Sequence, residues 1–109
     1  NAINSLADRA TAEGRWANVL AAASPSERAE LELRNEYAAQ VEVGAGVDGD
    51  IGTGTKGLID TWAAPKSLTP PAVTEITKIR QSGARAGQPY QTYSAADKLK
   101  LAVFVNENK

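Results

Sequence analysis

The chain has 109 residues, with no cysteine and no histidine, and its 12 Lys and Arg stand against 13 Asp and Glu for a net charge of −1. Its length sets the expectation of one domain, residues 1–109. The missing thiols and imidazoles exclude disulfides, cysteine or Ser-His-Asp nucleophiles and thiolate or imidazole metal sites, leaving carboxylates, Lys, Tyr, Arg, Ser and Thr as the chemical menu.

In chain order, Ile3, Leu6, Ala10, Ala17 and Leu20 recur at three- and four-residue steps, which predicts a first helix over 3–23. Gly14 falls in its middle, and Glu13 on its apolar side is expected to need a partner such as Arg9 or to reach solvent. Ser24-Pro25-Ser26-Glu27 is a capping box: Ser24 accepts from the orphan N–H groups of a second helix, Pro25 takes the first position and Glu27 reaches back. That helix is expected from Pro25 to about Gln40, antiparallel to the first. Ala29, Leu33, Tyr37 and Val41 form its apolar stripe, and Glu30 with Arg34 an i,i+4 pair.

Residues 44–57, GAGVDGDIGTGTKG, carry six glycines and read as one long loop, exposed or functional, with a short strand or hairpin seated by Val41, Val43, Val47 and Ile51 as the alternative. A short apolar piece, 58–64, stops at Pro65. Thr69-Pro70 predicts a third helix running to Ser82-Gly83, with Val73, Ile76 and Ile79 inward. Residues 83–93 read as a loop with two tyrosines, and Ser94 with Asp97 caps a last helix that gives way to an extended tail. Lys98–Val105 as a strand is the alternative there. The fold expected is thus mainly α: an N-terminal antiparallel helix pair, a long glycine-rich loop and shorter C-terminal helices. The apolar residues, 42% of the chain, are dominated by alanine, so the core is expected to be thin with Trp16 and Trp62 as large parts of it.

Several motifs invite a chemical reading. Gly52, Gly54 and Gly57 match the dinucleotide GxGxxG spacing, but that fingerprint needs a preceding strand and a full crossover helix. Gly49 to Lys56 misses the phosphate-loop order, in which Lys is followed by Ser or Thr. Asp48-Gly49-Asp50 opens like a calcium loop and then offers glycines where oxygen ligands belong, so no metal and no cofactor is expected. Glu27, Glu30, Glu32 and Glu36 are a solvated helix face unless a second segment brings them a partner. Lys78, Arg80, Arg85, Lys98 and Lys100, with Tyr90 and Tyr93 among them, form a candidate phosphate-contacting surface.

The charge is uneven. Residues 1–50 hold four Arg against nine acids, net −5, whereas 51–109 hold eight bases against four acids, net +4. Such polarity can orient a subunit against its copies or a partner. No apolar run approaches the roughly 18–20 residues of a membrane span, and no signal-peptide pattern is present. The chain has no Met and begins at Asn1, as a processed product or fragment does. The expected function is non-catalytic: a structural or interaction protein that touches other protein chains, such as a subunit of a virion or secretion apparatus. Its expected contact residues are Asp48, Asp50, Lys56, Arg85, Tyr90 and Tyr93. The alternatives are a carboxylate-dependent hydrolase or lyase, which requires two acids from different segments in one cleft, and a nucleic-acid or anionic-ligand binder.

Overall fold

A computed structural model of the chain describes residues 16–109; the expectations placed on residues 3–15, Glu13 and Gly14 included, lie outside the described residues. The described residues form four helices and one two-stranded antiparallel sheet: α1 (Trp16–Ala22), α2 (Pro25–Val43), α3 (Thr53–Ala63), β1 (Ile76–Ile79), β2 (Pro89–Thr92) and α4 (Ala95–Asn108). This is a mainly α fold. No helix among the described residues is long and apolar enough to cross a membrane.

Local chemistry sets the helix starts. The Ser24 hydroxyl accepts the Glu27 N–H (3.3 Å) and the Glu27 carboxylate accepts the Ser24 N–H (3.1 Å), so both halves of the capping box are made. These bonds hold the Glu27 carboxyl below its usual range. Ser94 caps α4 in the same way through the Asp97 N–H (3.2 Å). At the end of α1, the Arg28 guanidinium donates to the Leu20 carbonyl (3.1 Å), supplying a partner that a helix C-terminus otherwise lacks. Gly44 ends α2 in the left-handed conformation (φ 77°), its N–H turned back to the Gln40 and Val41 carbonyls.

α2 and α4 pack along each other and carry most of the interior. One cluster joins Ala39, Ile51, Ile59, Tyr93, Leu101, Ala102 and Val105; the other joins Trp16, Leu20 and Leu31. Trp16 is buried as expected, while Trp62 is half-buried at the edge of the first cluster, edge-on to Phe104 at 6.2 Å with its indole N–H on Glu42 (3.1 Å). Two buried amides bridge the central helices: Asn106 Nδ2 donates to the Asn35 carbonyl (2.8 Å) and to Asn35 Oδ1.

Five expectations are corrected. The residues of α2 that turn inward are Leu31, Asn35, Ala39 and Gln40, whereas the expected inward stripe of Ala29, Leu33, Tyr37 and Val41 faces solvent. The buried amides invert the amphipathic pattern, because each finds a hydrogen bond that a sequence window cannot show. The ion pair on this helix is Arg28 with Glu32 (2.8 Å) and not Glu30 with Arg34. The glycine-rich loop is shorter than expected: α3 begins at Thr53 and takes in Gly54 and Gly57, since Thr55, Ile59 and Ala63 repeat every four residues and bury together. Finally, residues 69–82 are not a helix. Pro70-Pro71 and the β-branched Val73, Thr74, Ile76, Thr77 and Ile79 favour extended backbone, and β1 pairs with β2 in the register Ile76 to Thr92, Lys78 to Tyr90. The last helix, in contrast, continues through Val103-Phe104-Val105, with no extended tail or strand at 98–105, because Leu101, Ala102 and Val105 share its buried face.

Candidate functional site

After Gly44 the chain turns back along α2, and one buried amide holds that return. Gln40 Nε2 donates to Asp48 Oδ1 (2.8 Å) and to the Asp50 carbonyl (3.2 Å), and Gln40 Oε1 accepts the Gly49 N–H (2.8 Å). Asp48 also accepts the Asp50 N–H (2.9 Å), and the bond from Gln40 followed by this one holds its carboxyl below the usual range. Gly49 has φ +77°, and a Cβ there would lie 2.6 Å from Leu33 Cδ1 and 3.1 Å from Tyr37 Cε1. Only glycine lets the loop lie this close on the helix.

The return places Asp50 beside α2 and α4. A cleft of about 430 Å³ opens there, lined by Glu32, Leu33 and Glu36 of α2, Asp50, Lys78 of β1, Tyr93, and Lys98 of α4. Lys98 Nζ is paired with Asp50 Oδ1. Glu36 lies half-buried, and desolvation raises its carboxyl to about 7; Lys98 opposes that rise, while the charges of Asp50 and Glu32 add to it. Tyr93 is buried, which pushes its hydroxyl above the ordinary value, with Glu75 adding to the shift. The cleft therefore brings together a carboxyl poised near neutrality, an ionised carboxylate–ammonium pair and a phenol. That set can hold or move a proton on a small polar ligand.

The expected contact residues are distributed over the surface. Asp50 and Tyr93 meet in this cleft. Lys56 lies on the other side of Tyr93, its Nζ 2.7 Å from both Asp60 carboxylate oxygens, in a second cleft of about 590 Å³ that includes Thr74 and Glu75. Asp48 holds the loop through Gln40. Arg85 and Tyr90 belong to the β-ribbon, Arg85 at its tip and Tyr90 beneath the Arg80 guanidinium at 4.5 Å. Of the expected basic surface, Lys98 is turned to Asp50 and Lys100 to Asp97 (3.7 Å).

Glycines 52, 54 and 57 are the cap and the first turns of α3, and no strand precedes them among the described residues, so the dinucleotide pattern lacks its setting. Among the described residues no group of three or more metal-ligating side chains converges. Gln40 carried no signal in the sequence, because a lone Gln on a helix is indistinguishable from a solvated one. Glu36 likewise read as one more acid of a solvated helix face, because the segments that cover it, Asp50 and Lys98, are distant in the chain.

The second surface feature is the α2 stripe itself. Leu33 is 42% exposed, Tyr37 38% and Val41 66%, and Val47 from the loop beside them is 52% exposed. Comparison with protein-family models, with curated proteins and with solved structures finds no match.

Proposed function

We propose that the chain is a non-catalytic interaction domain, a subunit of a larger assembly, and that the outward stripe of α2 is its contact surface. The observation that carries this is the placement of Leu33, Tyr37 and Val41: three large apolar side chains at i, i+4 and i+8 on the face that the core does not use. Isolated exposed apolar residues are ordinary, but a row of them on one helix marks a docking ridge. Covering the exposed part of the three contributes roughly 2–4 kcal/mol at about 25 cal/mol per Å², enough for weak association and for a share of a larger interface. The opposite charges of the two halves make a second copy the simplest partner, the acidic half of one subunit against the basic half of the next. Light scattering over a concentration series tests this: the mass rises above that of a monomer, and Val41→Asp returns it to the monomer without changing the circular dichroism. A monomer at every concentration overturns it.

One observation favours a second reading. Glu36 and Asp50 come from different segments and meet in one cleft, one raised to about 7 and the other ion-paired, as a general acid–base site requires. This predicts hydrolase or lyase turnover that inflects near pH 7 and vanishes in Glu36→Gln. Ester, amide and glycoside probes that all fail to turn over remove it.

A further inference from the structure

The β1–β2 ribbon is built unlike the rest of the molecule. Its base is anchored by Ile76, Tyr90 and Thr92, which are half-buried or buried, but every residue from 77 to 89 is exposed. Between Glu75 and Asp97 the sequence holds no acid, and it places Lys78, Arg80 and Arg85 on the ribbon. Among the other described cations, Arg28 pairs with Glu32, Lys56 with Asp60, Lys98 with Asp50 and Lys100 with Asp97, and Lys66 lies over the Trp62 ring at 4.9 Å. Among the described residues the three ribbon cations pair with no carboxylate. Arg80 is held over Tyr90, which fixes its guanidinium in place with its N–H donors free at the edge. Thr77, Gln81, Ser82 and Gln88 add hydroxyl and amide groups beside an exposed Ile79 and the small residues of the tip, and Gln91 Nε2 is bonded to Thr77 Oγ1 (2.9 Å) on the face opposite Lys78 and Tyr90.

We infer that this ribbon is a contact arm for duplex DNA, its three cations meeting backbone phosphates while the two strands lie in the major groove. Charge supplies the first part: an exposed, acid-free, unpaired cationic segment attracts a polyanion whatever its sequence. Shape supplies the second, because a two-stranded ribbon fits the B-form major groove, about 12 Å wide, and not the deep narrow groove of an A-form duplex. Lys78, at the base of the ribbon, shares a cleft with Leu33 of the α2 stripe, whereas Arg80 and Arg85 lie farther along the arm, so these two carry a duplex contact that extends the proposed function.

Fluorescence anisotropy of the whole chain on a labelled B-form duplex, over a salt series, tests the assignment. Three phosphate contacts give a slope of log K against log salt near −2.7, so the affinity falls about 40-fold between roughly 50 and 200 mM salt. Arg80→Gln and Arg85→Gln each flatten the slope by about 0.9. Arg85 sits on the exposed tip, so its variant keeps the native circular dichroism and reads binding alone. Lys66→Gln, which removes a cation outside the ribbon, leaves the slope unchanged. Absence of binding at the lowest salt, an unchanged slope in both Arg variants, or equal binding of an A-form RNA duplex or polyglutamate overturns the inference.

Discussion

Removing the charge of Glu36 should stabilise the protein at alkaline pH and leave it unchanged in acid. The carboxyl titrates near 7 in the folded chain against 4.5 for its ordinary value, so between those limits the folded state holds a proton that the unfolded state has released. Stability then falls as the pH rises from about 4.5 to 7, because the folded form binds more protons over that window. Below it both forms are protonated and Glu36 contributes nothing. Above it the full cost of an ionised, half-desolvated carboxylate is present. A shift from 4.5 to about 7 corresponds to roughly 3 kcal/mol unscreened; solvent reaching the open cleft and the nearby Lys98 reduce this to about 1–2 kcal/mol. Glu36→Gln keeps the shape and removes the charge, and the difference between variant and parent cancels contributions common to both. Urea unfolding at a series of pH values reads it: a gain of about 1–2 kcal/mol at pH 8 that shrinks to none by about pH 4. A gain that is the same at both ends, or a loss at pH 8, refutes the desolvation argument.

Three further changes test the packing. Gly57 lies inside α3 with open space where a Cβ would point, so Gly57→Ala should raise stability by about 0.5–1 kcal/mol in chemical denaturation. Gly49→Ala should do the opposite and cost about 2–3 kcal/mol, because its positive φ and its approach to Leu33 and Tyr37 both resist a side chain; the Gln40 bonds to the loop should loosen with it, seen as faster exchange of the Gly49 amide. Asn106→Ala should cost about 2–4 kcal/mol in thermal or urea unfolding, since it leaves the Asn35 carbonyl and side chain without their partner in the interior and opens a void.

The parts of the fold that were legible in the sequence are those decided within one turn of chain. Ser24 with Glu27 and Ser94 with Asp97 announce their helices, because a cap is completed by residues three positions away. The face of α2 was not legible. Leu33, Tyr37 and Val41 form the better apolar stripe by composition, yet the buried side holds Asn35, whose Oδ1 accepts from Asn106 while its Nδ2 has no partner, and Gln40, whose amide is bonded to the 48–50 loop. Partners that distant leave no mark on local periodicity. The same limit applies to the cleft: Asp50 was singled out as part of a loop and Glu36 as part of an acidic face, and only the fold joins them through Lys98. For residues 69–82 the three-residue spacing of Val73, Ile76 and Ile79 suggested a helix, but it was outweighed by β-branching and by a strand partner about a dozen residues on.

The role assigned to the α2 stripe is tested most directly by two-dimensional NMR over a dilution series. If the stripe is where copies of the chain meet, the signals of Leu33, Tyr37, Val41 and Val47 move together as the concentration falls, and those of the Trp16 and Leu31 interior stay fixed. Spectra that do not change with concentration, or changes centred away from α2, contradict it.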